Sequence, residues 1–441
     1  MRNLLILLCV FMCFSMTGCS LTNGIDVQAL MEPPKSNDDQ ESIYSLIEAD
    51  DGEFDLVYPK RGDYRAAIIM EDFNADGTEE AMAFYANPDG GIYLKFMSKK
   101  DDTWSTVSVF TNSSVQVDKV EFGDLDGDGS LEIIVGWGSS TSLSATISVY
   151  SFEDYKYVEN ILEYNYNEFL LVDLNSDEIQ EIFTTSIFTA SEIEENPDTL
   201  AMARVYRFEE KPLLYLSCEL SSLAVRYNTC TFGSISETQD GVIVEAITAE
   251  GGLVTQVVCI KNNILTSLFS SEDLVLQYNY FNRSSGISIE SQDVNDDGIF
   301  EYPYVTVQNG TSYTYSINSY NYYVDWLSYN SDDKTFELVQ RDIVFIDDGF
   351  RITVDPEVDI VCELSQNSTY VVSERVLNTE GELVYTKTLL TIKVFTSTQW
   401  EALNSQSDYE IVIKSENNMV YVVENSSYMD DDIKDSITLL S

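Results

Sequence analysis

Histidine is absent from all 441 residues. That absence excludes Ser-His-Asp and Cys-His catalysis, His-ligated zinc or haem, and an imidazole proton shuttle. Positive charge is scarce: 24 Lys and Arg stand against 75 Asp and Glu, a formal net charge of −51. Neutralising phosphates requires clustered Lys and Arg, so no nucleic-acid partner is expected. Proline is rare, with 8 residues, whereas Tyr (28) and Phe (21) are plentiful, a balance that favours strands. No C-x-x-C pair occurs, so a zinc-thiolate site or a thioredoxin-like redox motif has no support. What the chain does have is core material. It is 44% hydrophobic and 12% aromatic, too apolar for a disordered acidic chain. Its length suits two or three ordinary domains or one large repeat array.

The N-terminus reads as an address. Met1-Arg2-Asn3 is a short positive start, and Leu4 to Phe14 is an apolar run of 11 residues. A bilayer span takes about 20 residues, so the run suits a secretory signal peptide instead. Met16-Thr17-Gly18-Cys19 follows and resembles the bacterial lipobox, with Met where Leu is usual. The resemblance implies a signal peptide over 1–18, lipidation of Cys19, and an exported protein anchored to the outer face of the bacterial membrane. Cys9 and Cys13 would leave with the peptide, and Cys218, Cys230, Cys259 and Cys362 would remain, read as buried free thiols rather than disulfides. Residues 19–63 read as a lipidated tether and a short helix. Asn37 with Gln40 would cap that helix, and Ile43, Leu46 and Ile47 would form its apolar stripe.

From about residue 64 an internal repeat appears, with an acidic loop between two apolar strands. The copies are IIMEDFNADGTEEAMAFY (68–85), VEFGDLDGDGSLEIIVG (120–136), FLLVDLNSDEIQEIFTTS (169–186) and ISIESQDVNDDGIFEYPYVTV (287–307). Each loop places side-chain oxygens at offsets 0, 2, 4 and 8. These are Asp72, Asn74, Asp76 and Glu80; Asp124, Asp126, Asp128 and Glu132; Asp173, Asn175, Asp177 and Glu181; and Asp293, Asn295, Asp297 and Glu301. Calcium takes six to eight hard oxygens, and a tightly turning loop aims every second side chain inward. Offset 6 would add a backbone carbonyl, from Thr78, Ser130, Ile179 and Ile299. Offset 5 needs a positive φ, which Gly77, Gly129 and Gly298 supply at no steric cost. Glu178 stands there in the third loop, so that site is expected to be strained, weak or empty. The expectation is up to four structural calcium ions, the third weakest.

The strand–DxDxDG–strand unit, above all FGDLDGDGSLEIIVG, resembles the FG-GAP/VCBS repeat of integrin-α-like β-propellers. Bacterial lipoproteins with a similar PPK…YPKRGDYRAA stretch, here residues 33–67, carry such repeats. The resemblance implies blades whose first two strands are joined by a calcium loop. Loops begin at residues 72, 124, 173 and 293, so the third step spans two periods. The gap is filled near residue 233 by FGSISETQDGVIVEAIT (232–248), which keeps a hairpin but loses the carboxylates, a metal-free blade. The expected fold is mainly β: a propeller of about five four-stranded blades over 64–345, then a small α+β domain over 346–441. A seven-bladed propeller that absorbs the C-terminal region fits the same length.

Arg61-Gly62-Asp63 spells an integrin-ligand tripeptide but reads as a turn entering the first blade. The aromatic run Tyr313 to Tyr323 reads as packing, and Thr398 with Glu401 as the capping box of a C-terminal helix. No phosphate loop, nucleophile elbow or activated cysteine is visible, so the chain is not expected to be an enzyme. The expected function is a calcium-stabilised surface module that binds a protein, glycan or envelope component. The alternative is an exported carbohydrate-active hydrolase using an Asp/Glu pair.

Overall fold

Strand-forming segments recur along the chain and pair almost wholly with their sequence neighbours. The computed structural model describes residues 38–88, 90–139, 145–187, 201–268, 281–307, 322–345, 348–354, 360–365, 368–377, 383–403, 406, 409, 411–414, 418–424 and 436–439. The apolar start, Cys19, the tether, Asn37 and most of the aromatic run at 313–323 lie outside the described residues. The fold is mainly β, and the described strands form six antiparallel sheets of four or five strands. No helix among the described residues is long and apolar enough to cross a membrane.

Three sheets contain a hairpin whose turn is an acidic loop, in the first after the short strand Asp55–Leu56. Ile68–Glu71 pairs with Glu80–Ala86, Val117–Gly123 with Glu132–Trp137, and Glu168–Val172 with Glu181–Ile187. The fourth sheet opens on the hairpin expected near residue 233, Ala224–Ser236 with Gln239–Thr248, whose turn lacks the acidic loop. The fourth acidic loop departs from the expected strand–loop–strand pattern. Its leading arm is tied to its sheet by a single bridge, Gln292 to Glu301, ahead of Tyr302–Val307. The reason is local: the Ser291 amide and hydroxyl both donate to Glu245 of the preceding sheet, at 2.9 and 2.8 Å.

Consecutive sheets stack face to face through separate apolar clusters. Phe84, Phe96, Val120 and Trp137 join the first to the second. Ile134, Val149, Phe169 and Tyr206 join the second to the third. Phe183, Val205, Val244 and Val258 continue to the fourth, and Ile243, Val257, Tyr302 and Tyr329 to the fifth. Glu80–Ala86 and Glu132–Trp137 are therefore buried on both faces, and their sequences read as unbroken apolar runs rather than alternations. The fourth strands lie outermost, and Pro212–Glu219 is half-exposed to exposed along its length.

The expected boundary at residue 345 falls inside a hairpin. Thr335–Phe345 pairs with Phe350–Val354, which pairs in turn with Ile437–Leu439 from the chain's far end. Between them lies the sixth sheet: Ile360–Ser365, Thr369–Leu377, Leu383–Thr396, Met419–Glu424 and Ile411–Lys414. It packs on the fifth through Ile343, Phe350, Tyr370, Ile392 and Tyr421.

Each end of the stack carries a helix. Helix α1 (Asp38–Asp51) buries Ile43 and Ile47 against Ala81, Ala83, Tyr85 and Met97, the face of the first sheet turned away from the second. Its C-terminal acids oppose the helix dipole, but they meet the buried ammonium of Lys95, which contacts Asp50 at 3.1 Å and also Asp51. Helix α2 (Ser397–Glu401) places Trp400 on Val420 and Val422, the outer face of the sixth sheet. Its capping box is Thr396 with Gln399, two residues before the expected Thr398 and Glu401. Leu383–Thr396 runs straight into the helix, so Thr396 is the last extended residue and takes the cap.

Candidate metal centres

In each acidic loop the first carboxylate organises the turn. Asp124 accepts from the Gly127 and Gly129 amides at 2.7 and 3.0 Å, and Asp72 accepts from Asp76 and Gly77 at 3.1 and 2.9 Å. Asp173 and Asp293 repeat the pattern, with contacts of 3.1 and 2.9 Å and of 3.2 and 2.8 Å. The offset-4 carboxylate accepts from the offset-6 amide, as Asp128 does from Ser130 at 2.7 Å, Asp76 from Thr78 at 2.9 Å, Asp177 from Ile179 at 3.1 Å and Asp297 from Ile299 at 2.8 Å. At offset 2, Asp126, Asn74 and Asn295 each accept from the offset-4 amide, at 3.1, 2.9 and 3.1 Å.

Two residues per loop have left-handed φ. At offset 5 these are Gly77 (86°), Gly129 (92°), Glu178 (71°) and Gly298 (85°), and no atom would touch an added Cβ on the three glycines. Glycine there serves φ alone. Offset 3 is the second position, at Ala75, Gly127, Ser176 and Asp296, and the sequence offered no uniform residue type to mark it.

The offset-8 glutamates come from the second strand and point under the loop. Glu80, Glu132, Glu181 and Glu301 are all buried. One oxygen of each accepts the offset-1 amide, from Phe73, Leu125, Leu174 and Val294, at 3.2, 2.9, 3.1 and 2.9 Å. The other oxygen of Glu301 has no hydrogen-bond partner among the described residues. A buried carboxylate oxygen without a donor is costly unless a cation faces it. Burial first, then the neighbouring Asp charges, pushes Glu132 up to about 8 and Glu80 and Glu301 up to about 7. Asp124, Asp126 and Asp128 each bring an oxygen within 4.8 Å of the others. Oxygen-only donors of this count and charge fit calcium, and nothing in the set suits a softer metal.

The third loop differs. Burial raises Glu181, opposed by the Leu174 amide and by Arg207. Arg207 Nε reaches Glu181 Oε1 at 3.2 Å, and the Asn175 amide nitrogen also points at that oxygen.

A second constellation was missed in the sequence. Arg61 of the RGD tripeptide turns inward and grips Asp118 through Nε at 2.9 Å and a terminal nitrogen at 2.8 Å. It also contacts Glu168, and reaches the Asn167 carbonyl at 3.0 Å. The Tyr166 hydroxyl donates to Asp118 at 2.7 Å. That approach requires Gly136, where a Cβ would lie 2.2 Å from the Tyr166 oxygen. Burial raises Glu168 above the usual carboxylate range, against the pull of Arg61. The tripeptide is thus a turn between two strands of the first sheet, Asp55–Leu56 and Ile68–Glu71, with its arginine tied to the second and third sheets. Cys259 is a buried free thiol, and Cys218 and Cys230 are half-buried free thiols whose proton affinity burial raises.

No protein-family model matches the chain, and no curated protein does. Solved structures similar to it include a rhamnogalacturonan lyase PL11 of Bacillus licheniformis, at 10% identity and a TM-score of 0.30, covering 83% of this chain and 88% of that one. The periplasmic gluconolactonase PpgL of Pseudomonas aeruginosa is similar at 11% identity and a TM-score of 0.29, covering 75% and 86%. Sqt1 of Saccharomyces cerevisiae is similar at 7% identity and a TM-score of 0.30, covering 82% and 98%. Likenesses this distant assign no activity to the chain. The expectation that it is not an enzyme is withdrawn, with lyases and a lactonase standing among the similar structures. The absence of histidine removes imidazole chemistry alone, and carboxylates remain available for proton transfer.

Proposed function

We propose that the chain is a calcium-stabilised, β-propeller-like surface module built from FG-GAP/VCBS-type blades, exported and lipid-anchored through Cys19. The observation that carries this reading is the set of buried offset-8 glutamates, each committed by one oxygen to the loop backbone. The second oxygen of Glu301 is left for a cation. In the first, second and fourth loops, side chains at offsets 0, 2, 4 and 8 and the offset-6 carbonyl would hold the ion. The metal would neutralise crowded carboxylates and pin each hairpin, leaving the outer surface free for a protein, glycan or envelope partner. Extracellular calcium modules bind with Kd of about 10⁻⁴ to 10⁻³ M, so ~1 mM calcium would contribute about 0.4 to 1.4 kcal/mol per site. Differential scanning calorimetry of the protein lacking residues 1–19, in millimolar calcium and in EDTA, tests the reading. Equal melting temperatures would sink it.

A second reading is a carbohydrate-active enzyme on the same scaffold. It is favoured by a carboxylate pair outside the loops, Asp118 and Glu168 bridged by Arg61, with Glu168 raised by burial. Turnover of a polysaccharide library that disappears in Glu168→Gln, while the protein still folds, would establish it. No turnover on any member would remove it.

A further inference from the structure

The third loop already contains a cation. Strand pairing runs from Ile182 opposite Tyr206, so one residue further on Arg207 stands opposite Glu181. The same step in the other loops places Ser98 opposite Glu80, Ser151 opposite Glu132 and Ser328 opposite Glu301. Three small hydroxyl residues leave room beside the buried glutamate, and the fourth position carries a guanidinium. Its Nε lies 3.2 Å from Glu181 Oε1, and a terminal nitrogen lies 3.6 Å from Asp177 Oδ2. It rests on the Tyr215 ring, 3.7 Å from the centroid, which holds the planar group over the loop. Asn175 adds to the mismatch. Its amide nitrogen donates to Glu181, whereas Asn74 and Asn295 accept backbone amides through their oxygens.

We propose that Arg207 is a tethered counter-ion that replaces calcium in the third loop, so that the chain binds three ions and this hairpin, unlike the other three acidic ones, is independent of metal. The proposal rests on the calcium reading of the other loops. A calcium ion needs its oxygens at roughly 2.3–2.6 Å, and a guanidinium on the same carboxylates both occupies that space and repels a second positive charge. The loop otherwise keeps the shared frame: the Glu178 amide donates to Asp173 at 2.9 Å, as glycine does elsewhere, despite its φ of 71°. The exclusion therefore lies in the arginine more than in the lost glycine.

Calcium stoichiometry by equilibrium dialysis decides the matter, with the chain lacking residues 1–19. The unaltered protein should bind three equivalents, Arg207→Ser four, and Glu178→Gly with Arg207 retained three. Four equivalents in the unaltered protein, or three in Arg207→Ser, would overturn the arginine's role and leave calcium binding intact. Four in Glu178→Gly alone would place the exclusion on the glutamate instead. Zero equivalents throughout would remove the calcium reading itself. Should Arg207→Ser fail to fold, hydrogen exchange on the unaltered protein serves. EDTA should speed exchange in 72–80, 124–132 and 293–301 but not in 173–181, and equal loss of protection in all four would also overturn the proposal.

Discussion

Burial of a glutamate beneath a ring of aspartates sets the residue-scale behaviour of the loops. In the metal-free protein Glu132 lies at about 8 and Glu80 and Glu301 at about 7, all above the ordinary 4.5. Folded values raised in this way favour the protonated form, so their stabilisation is complete below about pH 4.5 and is lost as pH rises through 7 to 8. In EDTA the melting temperature should therefore fall between about pH 5 and 8.5. Millimolar calcium should reverse the trend, because the metal requires deprotonated ligands. A melting temperature in EDTA that is flat over this range would show that these glutamates stay charged when buried. At Arg61 the matter is pairing rather than protonation. Among the described residues, Arg61→Ala leaves the buried Asp118 carboxylate with the Tyr166 hydroxyl alone, and should cost roughly 2 to 4 kcal/mol in urea denaturation. A loss under ~0.5 kcal/mol would mean that water takes over the arginine's work.

At the scale of elements, the hairpins were legible because their information is local. Four oxygens at fixed offsets, a glycine for φ and apolar strands on either side all lie within one short stretch of sequence. Helix α1 was legible too: its stripe of Ile43 and Ile47 is the buried face. Its role was not, since the receiving surface of Ala81, Ala83 and Tyr85 is defined only when their strand is packed on both sides. Ile47→Ala should cost about 2 to 5 kcal/mol if α1 is integral to the first sheet, measured by chemical denaturation. Cleavage within 38–51 under limited proteolysis should rise with it. An unchanged midpoint would make the helix an ornament on an already stable sheet. Arg207 was invisible for a similar reason. It lies 26 positions beyond Glu181, and strand register, not spacing along the chain, sets the two against each other.

At the scale of the whole molecule, a formal charge of −51 has to be held in one folded chain. Self-repulsion of that size weakens a compact state, and divalent ions relieve it where carboxylates crowd. Asp124→Asn should remove one equivalent of bound calcium and shrink the calcium-induced rise in melting temperature by roughly a third, if three similar sites share it. An undiminished rise would place the stabilising ions outside the acidic loops. The mainly β class, the acidic hairpin turns and the hairpin at 232–248 that lacks their carboxylates were set by the sequence, because each depends on residues close together along the chain. Tertiary structure alone decided which surfaces meet. Ile437–Leu439 completes the fifth sheet beside Phe350–Val354, Arg61 ties the second and third sheets, and two helices cover the outer faces of the first and last. Contacts of that kind form between residues tens of positions apart, where no local periodicity records the partner and only packing and strand register select it.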